Sequence, residues 1–203
     1  MLIGKHPGHA LRALVLMLIS LTVSADDLVL HRVDEPQQSE TPKRVVALNW
    51  WLAEHLLALG VTPVGVAEIE RYREWVVEPR APESVKSVGR RQAPNLEAIR
   101  SLKPDLILVS GHLEAAVPAL RDIAPTLVQT TYEADSNPWV KAREHLLALG
   151  KILNREDKAQ AVIAKAEQEL SDIREQLSQA GLAGQMAFIV RFLDDRRLRI
   201  HGD

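Results

Sequence analysis

The chain has 203 residues, 46% of them hydrophobic and 26% charged, with 25 Lys and Arg against 27 Asp and Glu. That balance suits one ordinary domain, or one domain and the beginning of a second, and excludes a disordered tail. The absence of cysteine excludes disulfides, thiol catalysis and a lipid-modified cysteine, and the slight acidic excess argues against a nucleic-acid partner, which needs a basic face.

The first 25 residues differ from the rest. Lys5 and Arg12 lead into the apolar run LRALVLMLISLTVSA, which has no acidic residue and ends in the small residues Val23, Ser24 and Ala25. A positive start, an apolar middle and a small-residue exit predict a cleavable secretory signal peptide over 1–25. The run is also short for a membrane span, which needs about 20 apolar residues. The remaining 178 residues, with 23 basic and 27 acidic side chains, are expected to form a soluble exported protein held together by its core alone. Residues 26–42, with Pro36, Gln37 and Gln38, read as a polar leader.

Regular structure is predicted from residue 43. Residues 44–49 read as a buried strand, and residues 50–59 carry apolar side chains at helical spacing until Gly60 stops them. A short strand follows at 64–67, a helical turn at 70–77, and a strand-like SVKSVG that ends at Gly89. Pro94 and Asn95 open a helix with Glu97 in its first turn, where a carboxylate suits the positive end of the helix dipole. LILVS is a strand, residues 114–122 a helix, and TLVQT another strand. Strands alternating with helices at this spacing predict a mainly parallel sheet covered on both faces. A long helical region runs from Asn137 to about Ala180, with a possible break near Gly150 and a fresh N-cap at Asn154 and Asp157. If it is collinear, its roughly 40 residues reach about 60 Å, enough to bridge two lobes. Beyond Gly184, MAFIVRFL is a strand, DDRR a turn, and LRIHGD begins a further element.

The enzyme signatures are missing. His31, His55, His112 and His145 are widely spaced, with no H-E-x-x-H pair, and there is no G-x-S-x-G, Walker loop or dinucleotide glycine fingerprint. One loop stands out. Arg90 and Arg91 lie between a strand end and the Pro94–Asn95 helix start, with no carboxylate beside them in the sequence.

Taken in order, RVVALNWWLAEHLLALGVTPVGVAE, RYREWVVEP, SVGRRQAPNLEAIRSLKPDLILVS, the IAPT turn and the long helix followed by FLDDRRLRIHG resemble the periplasmic ferric-hydroxamate-binding proteins (FhuD type). These belong to the iron-siderophore and vitamin B12 class of substrate-binding proteins of ABC importers. The resemblance covers nearly all of residues 43–203. It implies an α/β, Rossmann-like lobe over 43–136, a bridging helix over 137–181, and the start of a truncated second lobe over 182–203, in the class III periplasmic binding protein architecture. Ligand would lie in a cleft between lobes, and parallel-sheet physics independently puts ligands outside the carboxyl ends of the strands.

By this resemblance Arg91 donates hydrogen bonds to the oxygens of an iron(III)-siderophore complex, a task suited to a guanidinium that keeps its proton and offers several donors. Trp75 would form a cleft wall, with Tyr72 a weaker candidate. Trp50 or Trp51 would face the cleft at another strand exit, and His112 could add a donor. The aromatic residues that some relatives use beside the Ser of VSGHLEAA are Val109 and Leu113 here, which leaves the siderophore open. Iron would be held by the siderophore, with no cofactor and no protein metal ligands. Glu114 would dock an arginine of the inner-membrane permease. The protein would be periplasmic, not an enzyme, and a monomer when full length. The alternatives are a vitamin B12 or haem binder on the same scaffold, an exported α/β enzyme, or a non-functional fragment.

Overall fold

The computed structural model describes residues 41–130, 137–186, 188–192 and 197–201. The expected signal peptide and nearly all of the polar leader lie outside these residues.

Five short strands form one parallel sheet: β1 (Val45–Ala47), β2 (Gly65–Val66), β3 (Lys86–Ser87), β4 (Leu106–Ser110) and β5 (Thr126–Gln129), in the order β3-β2-β1-β4-β5. Every residue of β1 and β4 is buried, as expected of apolar strands covered on both faces. The start of the β1–β4 pair is fixed by Asp105, whose carboxylate accepts the backbone N–H groups of Lys43 at 2.8 Å and Arg44 at 2.9 Å.

Two helical layers enclose the sheet. On one face Val45, Ala47, Leu106, Leu108 and Leu127 pack with Leu52 and Leu56 of α1 (Trp50–Ala58) and with Ile69 and Tyr72 of α2 (Ile69–Trp75). On the other, Val46, Leu48, Ile107 and Val109 meet Ile99 of α3 (Leu96–Ser101) and Val117 and Leu120 of α4 (Val117–Arg121). Asn95 caps α3 as the sequence predicts, its side chain accepting from the Ala98 N–H at 3.0 Å.

The helix predicted over 114–122 is instead a 3-10 segment, Gly111–Ala116, followed by the short α4. Pro118 explains the difference. It has no N–H for an i−4 bond and is tolerated only in a first turn, so α4 restarts around it.

The long helical region is not one collinear bridge. It divides into α5 (Pro138–Ile152) and α6 (Glu156–Gln179), which fold back on each other. A Cβ on Gly150 of α5 would stand 2.9 Å from Cβ of Ala159 on α6, and Arg143 pairs with Glu167 at 3.2 Å. Increasing numbers on α5 thus meet decreasing numbers on α6, an antiparallel hairpin. The break falls after Gly150, at Asn154, whose φ of 53° ends α5 in the left-handed conformation that asparagine tolerates. Asn154 is therefore not the N-cap expected from the sequence. Arg155 occupies that position without a side-chain cap, and Glu156 and Asp157 place negative charge in the first turn of α6.

With 24 residues α6 is about 36 Å long. Its first half is anchored by Ala159 and Ile163 in the core, and Ile173 and Leu177 of its second half are exposed. After it come β6 (Ile189–Phe192) and β7 (Leu198–His201), paired antiparallel in a separate two-stranded sheet.

Candidate functional site

All five strands of the main sheet point the same way, so their carboxyl ends share one edge. From β1 the chain moves outward through β2 to β3, then returns to place β4 on the other side of β1. The connections diverge between β1 and β4, and such a switch point opens a crevice in parallel sheets. The residues leaving the strands there are Asn49 after β1, Glu68 after β2, Arg91 after β3, and Ser110 at the end of β4 with His112 beyond it.

Arg91 is built into this edge. Gly89 has a φ of 90° and passes so close to Asn95 that a Cβ would lie 2.7 Å from its backbone nitrogen, so glycine is required there. The Arg90 and Ala93 backbones close a tight turn, each N–H donating to the other's carbonyl at 3.3 and 3.1 Å. The Arg91 side chain, 28% exposed, lies back over the Trp50 ring with its guanidinium carbon 4.0 Å from the ring centroid. Trp50 is held in turn by its indole N–H, which donates to the Ala67 carbonyl at 3.1 Å.

A carboxylate does stand beside Arg91, contrary to the reading of the loop sequence. Glu68, 23 residues earlier, accepts from Arg91 Nε at 3.0 Å, and its side chain is only 12% exposed. The register of β2 against β3 makes this contact, with the Glu68 N–H donating to the Gly89 carbonyl at 2.8 Å. Burial raises the Glu68 carboxyl, but the hydrogen bonds and charge of Arg91, with Arg71 adding its charge, outweigh it and hold the group below the usual carboxylate range.

A second polar chain crosses the switch point. Asn49 Nδ2 donates to Ser110 Oγ at 3.2 Å, and Ser110 Oγ lies 2.8 Å from His112 Nδ1. Ser110 is buried and His112 exposed. Gly111 lets the chain pass Thr130, whose Oγ1 would be 2.5 Å from a Cβ at that position.

The other sequence candidates separate. Trp51 turns away from this edge into the helix layer, stacking on His145 with centroids 5.4 Å apart and meeting His55 edge-on at 5.3 Å. Tyr72 is not a cleft wall. It is fully buried, and its hydroxyl donates to the Pro79 carbonyl at 2.7 Å. Burial, with the charges of Glu54 and Glu78, raises the phenol pKa, so it stays a neutral core residue. Trp75, the last residue of α2, is 59% exposed, and among the described residues no ring contact ties it to Arg91 or Trp50. Glu114 is exposed on the 3-10 segment, and Val109 and Leu113 are core residues.

Sequence reading missed Glu68, Asn49 and Ser110. Each is the first polar residue at or after a strand end, the signal that could have found them. Among the described residues no group of three or more acidic or histidine side chains is placed to hold a metal, and no helix is long and apolar enough to cross a membrane. One hollow, of about 260 Å³, lies between α1 and the α5–α6 hairpin and shares no residue with the strand-exit cluster.

The strand-exit edge therefore sets a guanidinium with two Nη groups over an indole face, beside a buried hydroxyl and an exposed imidazole. The chain as a whole is similar to known proteins. The iron(3+)-hydroxamate-binding protein FhuD of Escherichia coli K12 is 32% identical over 161 residues, covering 79% of this chain and 53% of that protein. The Fe(3+)-citrate-binding protein YfmC of Bacillus subtilis 168 is 32% identical over 158 residues, covering 76% and 49%. Among solved structures, the siderophore-binding protein FhuD of Vibrio cholerae with bound Fe3+–Desferal aligns with a TM-score of 0.71 at 35% identity, over 75% of this chain and 57% of that one. The chain spans about half the length of the curated relatives it matches. A family model described as periplasmic binding protein matches residues 45–199, which run from the first strand through the sheet, both long helices and into the last strand, and the chain belongs to that family.

Proposed function

We propose that this chain supplies one wall of a ferric-siderophore site in an exported binding protein, which hands its cargo unaltered to an ABC permease of the inner membrane. The single observation that carries this reading is Arg91, held over Trp50 and against Glu68 at the carboxyl edge of a parallel sheet. Its Nε is occupied by Glu68, so the two Nη groups are the donors left for chelate oxygens. Trp50 and the exposed Trp75 offer flat apolar walls to the siderophore backbone, and His112 a further polar contact. Glu114, exposed on the 3-10 segment, is the docking contact for a permease arginine. The ferric chelate brings its own iron ligands, so the site needs neither a cofactor nor a reacting group.

Titrating intrinsic tryptophan fluorescence with ferric siderophores tests this. A ferric tris-hydroxamate should quench the parent saturably, and Arg91→Ala should weaken binding about 10- to 100-fold, the worth of a hydrogen bond to a charged donor. Absent quenching with hydroxamate, citrate and catecholate chelates alike, or an Arg91→Ala variant that binds as tightly as the parent, would remove the proposed site. Incubation with haem or cobalamin, followed by visible absorbance of the protein fraction, separates the other ligands this scaffold could carry.

A further inference from the structure

The arginine at the centre of the site is not a free cation. Its partner Glu68 takes a left-handed backbone conformation, φ 55° and ψ 43°, which a residue carrying a Cβ seldom adopts and which glycine or asparagine would take at less cost. The chain tolerates this at a point pinned by the Gly89 carbonyl and by the first turn of α2, where the Tyr72 N–H donates to the Glu68 carbonyl at 2.9 Å. What the strained position delivers is a nearly buried carboxylate, aimed along the Nε edge of Arg91 at 3.0 Å. That contact fixes the roll of the guanidinium, and Trp50 beneath it fixes the tilt. Together they leave the two Nη groups as the donors not engaged by Glu68.

The same contact sets the charge. Arg91 and Glu68 sum to zero within one hydrogen bond, while Arg71 and Arg90 are exposed, so that water and salt weaken their fields and Arg71 is the smallest of the influences on Glu68. Asn49 and Ser110, across the switch point, are uncharged. We propose that Glu68 is the positioning and charge-setting residue of this site: it aims Arg91 and cancels most of its field, so that chelates are recognised through directed hydrogen bonds and strongly anionic ferric chelates are disfavoured. This rests on the ferric-siderophore reading above.

The test compares the neutral tris-hydroxamate complex ferrichrome with an anionic ferric citrate complex, using the purified chain and fluorescence titration. Parent protein should prefer the neutral chelate. Glu68→Gln keeps an oxygen acceptor for Nε but removes the charge. It should improve the anionic chelate relative to the neutral one by about tenfold or more, since a charge released within several ångströms acts through a partly desolvated medium. Glu68→Asp retains the charge and should keep the parent ratio, whereas Glu68→Ala should weaken both chelates because the guanidinium loses its orientation. Thermal melts of each variant separate these effects from unfolding. A merely structural Glu68 would shift both affinities by the same factor, and that result, or a parent that prefers the anionic chelate, overturns the proposal. If the parent binds neither chelate, the siderophore reading itself falls and this inference with it. Binding that persists while the charge ratio stays fixed in Glu68→Gln removes only the role of Glu68.

Discussion

Ser110 Oγ and His112 Nδ1 stand 2.8 Å apart across a single glycine, within hydrogen-bonding reach. Asn49 Nδ2 donates to the same hydroxyl at 3.2 Å and fills one of its two lone pairs, which leaves the hydroxyl proton free to point at His112. With the hydroxyl donating, Nδ1 of His112 is the acceptor and the ring proton sits on Nε2, across the ring from Ser110. Nitrogen-15 correlation spectra should show His112 as the Nε2–H tautomer in the parent. Ser110→Ala should mix the tautomers without unfolding the chain. A parent His112 protonated on Nδ1 would reverse the direction of this relay.

The two adjacent indoles should separate in function. Trp50 lies under the Arg91 guanidinium, while Trp51 is stacked on His145 in the helix layer. Trp50→Ala should cost chelate affinity about tenfold, in line with a lost cation–π platform of roughly 1–2 kcal/mol, and should also lower stability, because Trp50 packs on the core and bonds the Ala67 carbonyl. Trp51→Ala should lower stability by about 3 kcal/mol with affinity preserved in the folded fraction, so it is the affinity that separates the two. Denaturant melts and titrations on the same samples check both halves.

Much of the scaffold was legible because it obeys local rules. VVA and LILVS are buried on both faces and read as strands from their apolar runs, and Asn95 followed by Glu97 announced the α3 cap that forms. Misreadings arose where one residue outweighed a pattern. Pro118 split a helix whose spacing looked continuous, and the break expected near Gly150 falls instead at Asn154, whose left-handed backbone folds α6 back on α5. In the site, the turn around Arg91 could be placed on an edge, but its partner could not. Glu68 is 23 residues away and meets Arg91 only because β2 and β3 are in a particular register. Tyr72 and Trp75 share a seven-residue helix with too few turns for periodicity to say that one is core and the other surface.

Acid should weaken the fold from near neutrality through His55. Its Nδ1 lies 2.7 Å from the Trp51 carbonyl and its Nε2 3.2 Å from the Ala142 carbonyl, joining α1 to α5. Burial lowers its pKa from the ordinary 6.5, and the two carbonyl contacts only partly oppose this. The unfolded chain therefore binds the proton more readily, so the contribution of His55 to stability is present above about pH 6.5 and is lost as pH falls from there towards the lowered folded value. Urea midpoints measured from pH 7.5 to 5.5 should fall in the parent and fall less in His55→Gln. Equal slopes in both proteins would contradict this assignment.

Gly150 is the point where α5 and α6 approach most demandingly. In an isolated helix, Gly→Ala stabilises by about 1 kcal/mol. Here the new methyl carbon would lie 2.9 Å from Cβ of Ala159 and 3.3 Å from the Arg155 carbonyl oxygen, neither of which is the free end of a flexible chain. The helices would have to separate, and Leu149 and Leu153 on one side and Ile163 on the other lie in the core that this separation would open. Overpacking of this kind costs about 1–3 kcal/mol and outweighs the propensity gain, so Gly150→Ala should lower the melting temperature. Adding Ala159→Gly removes the methyl group it meets. That second change alone should destabilise, since it puts glycine in a helix interior. The double variant should nevertheless lie above the sum of the two single effects by about 1 kcal/mol, the coupling expected of residues in direct contact. Additive melts would show that the two helices do not meet at these residues.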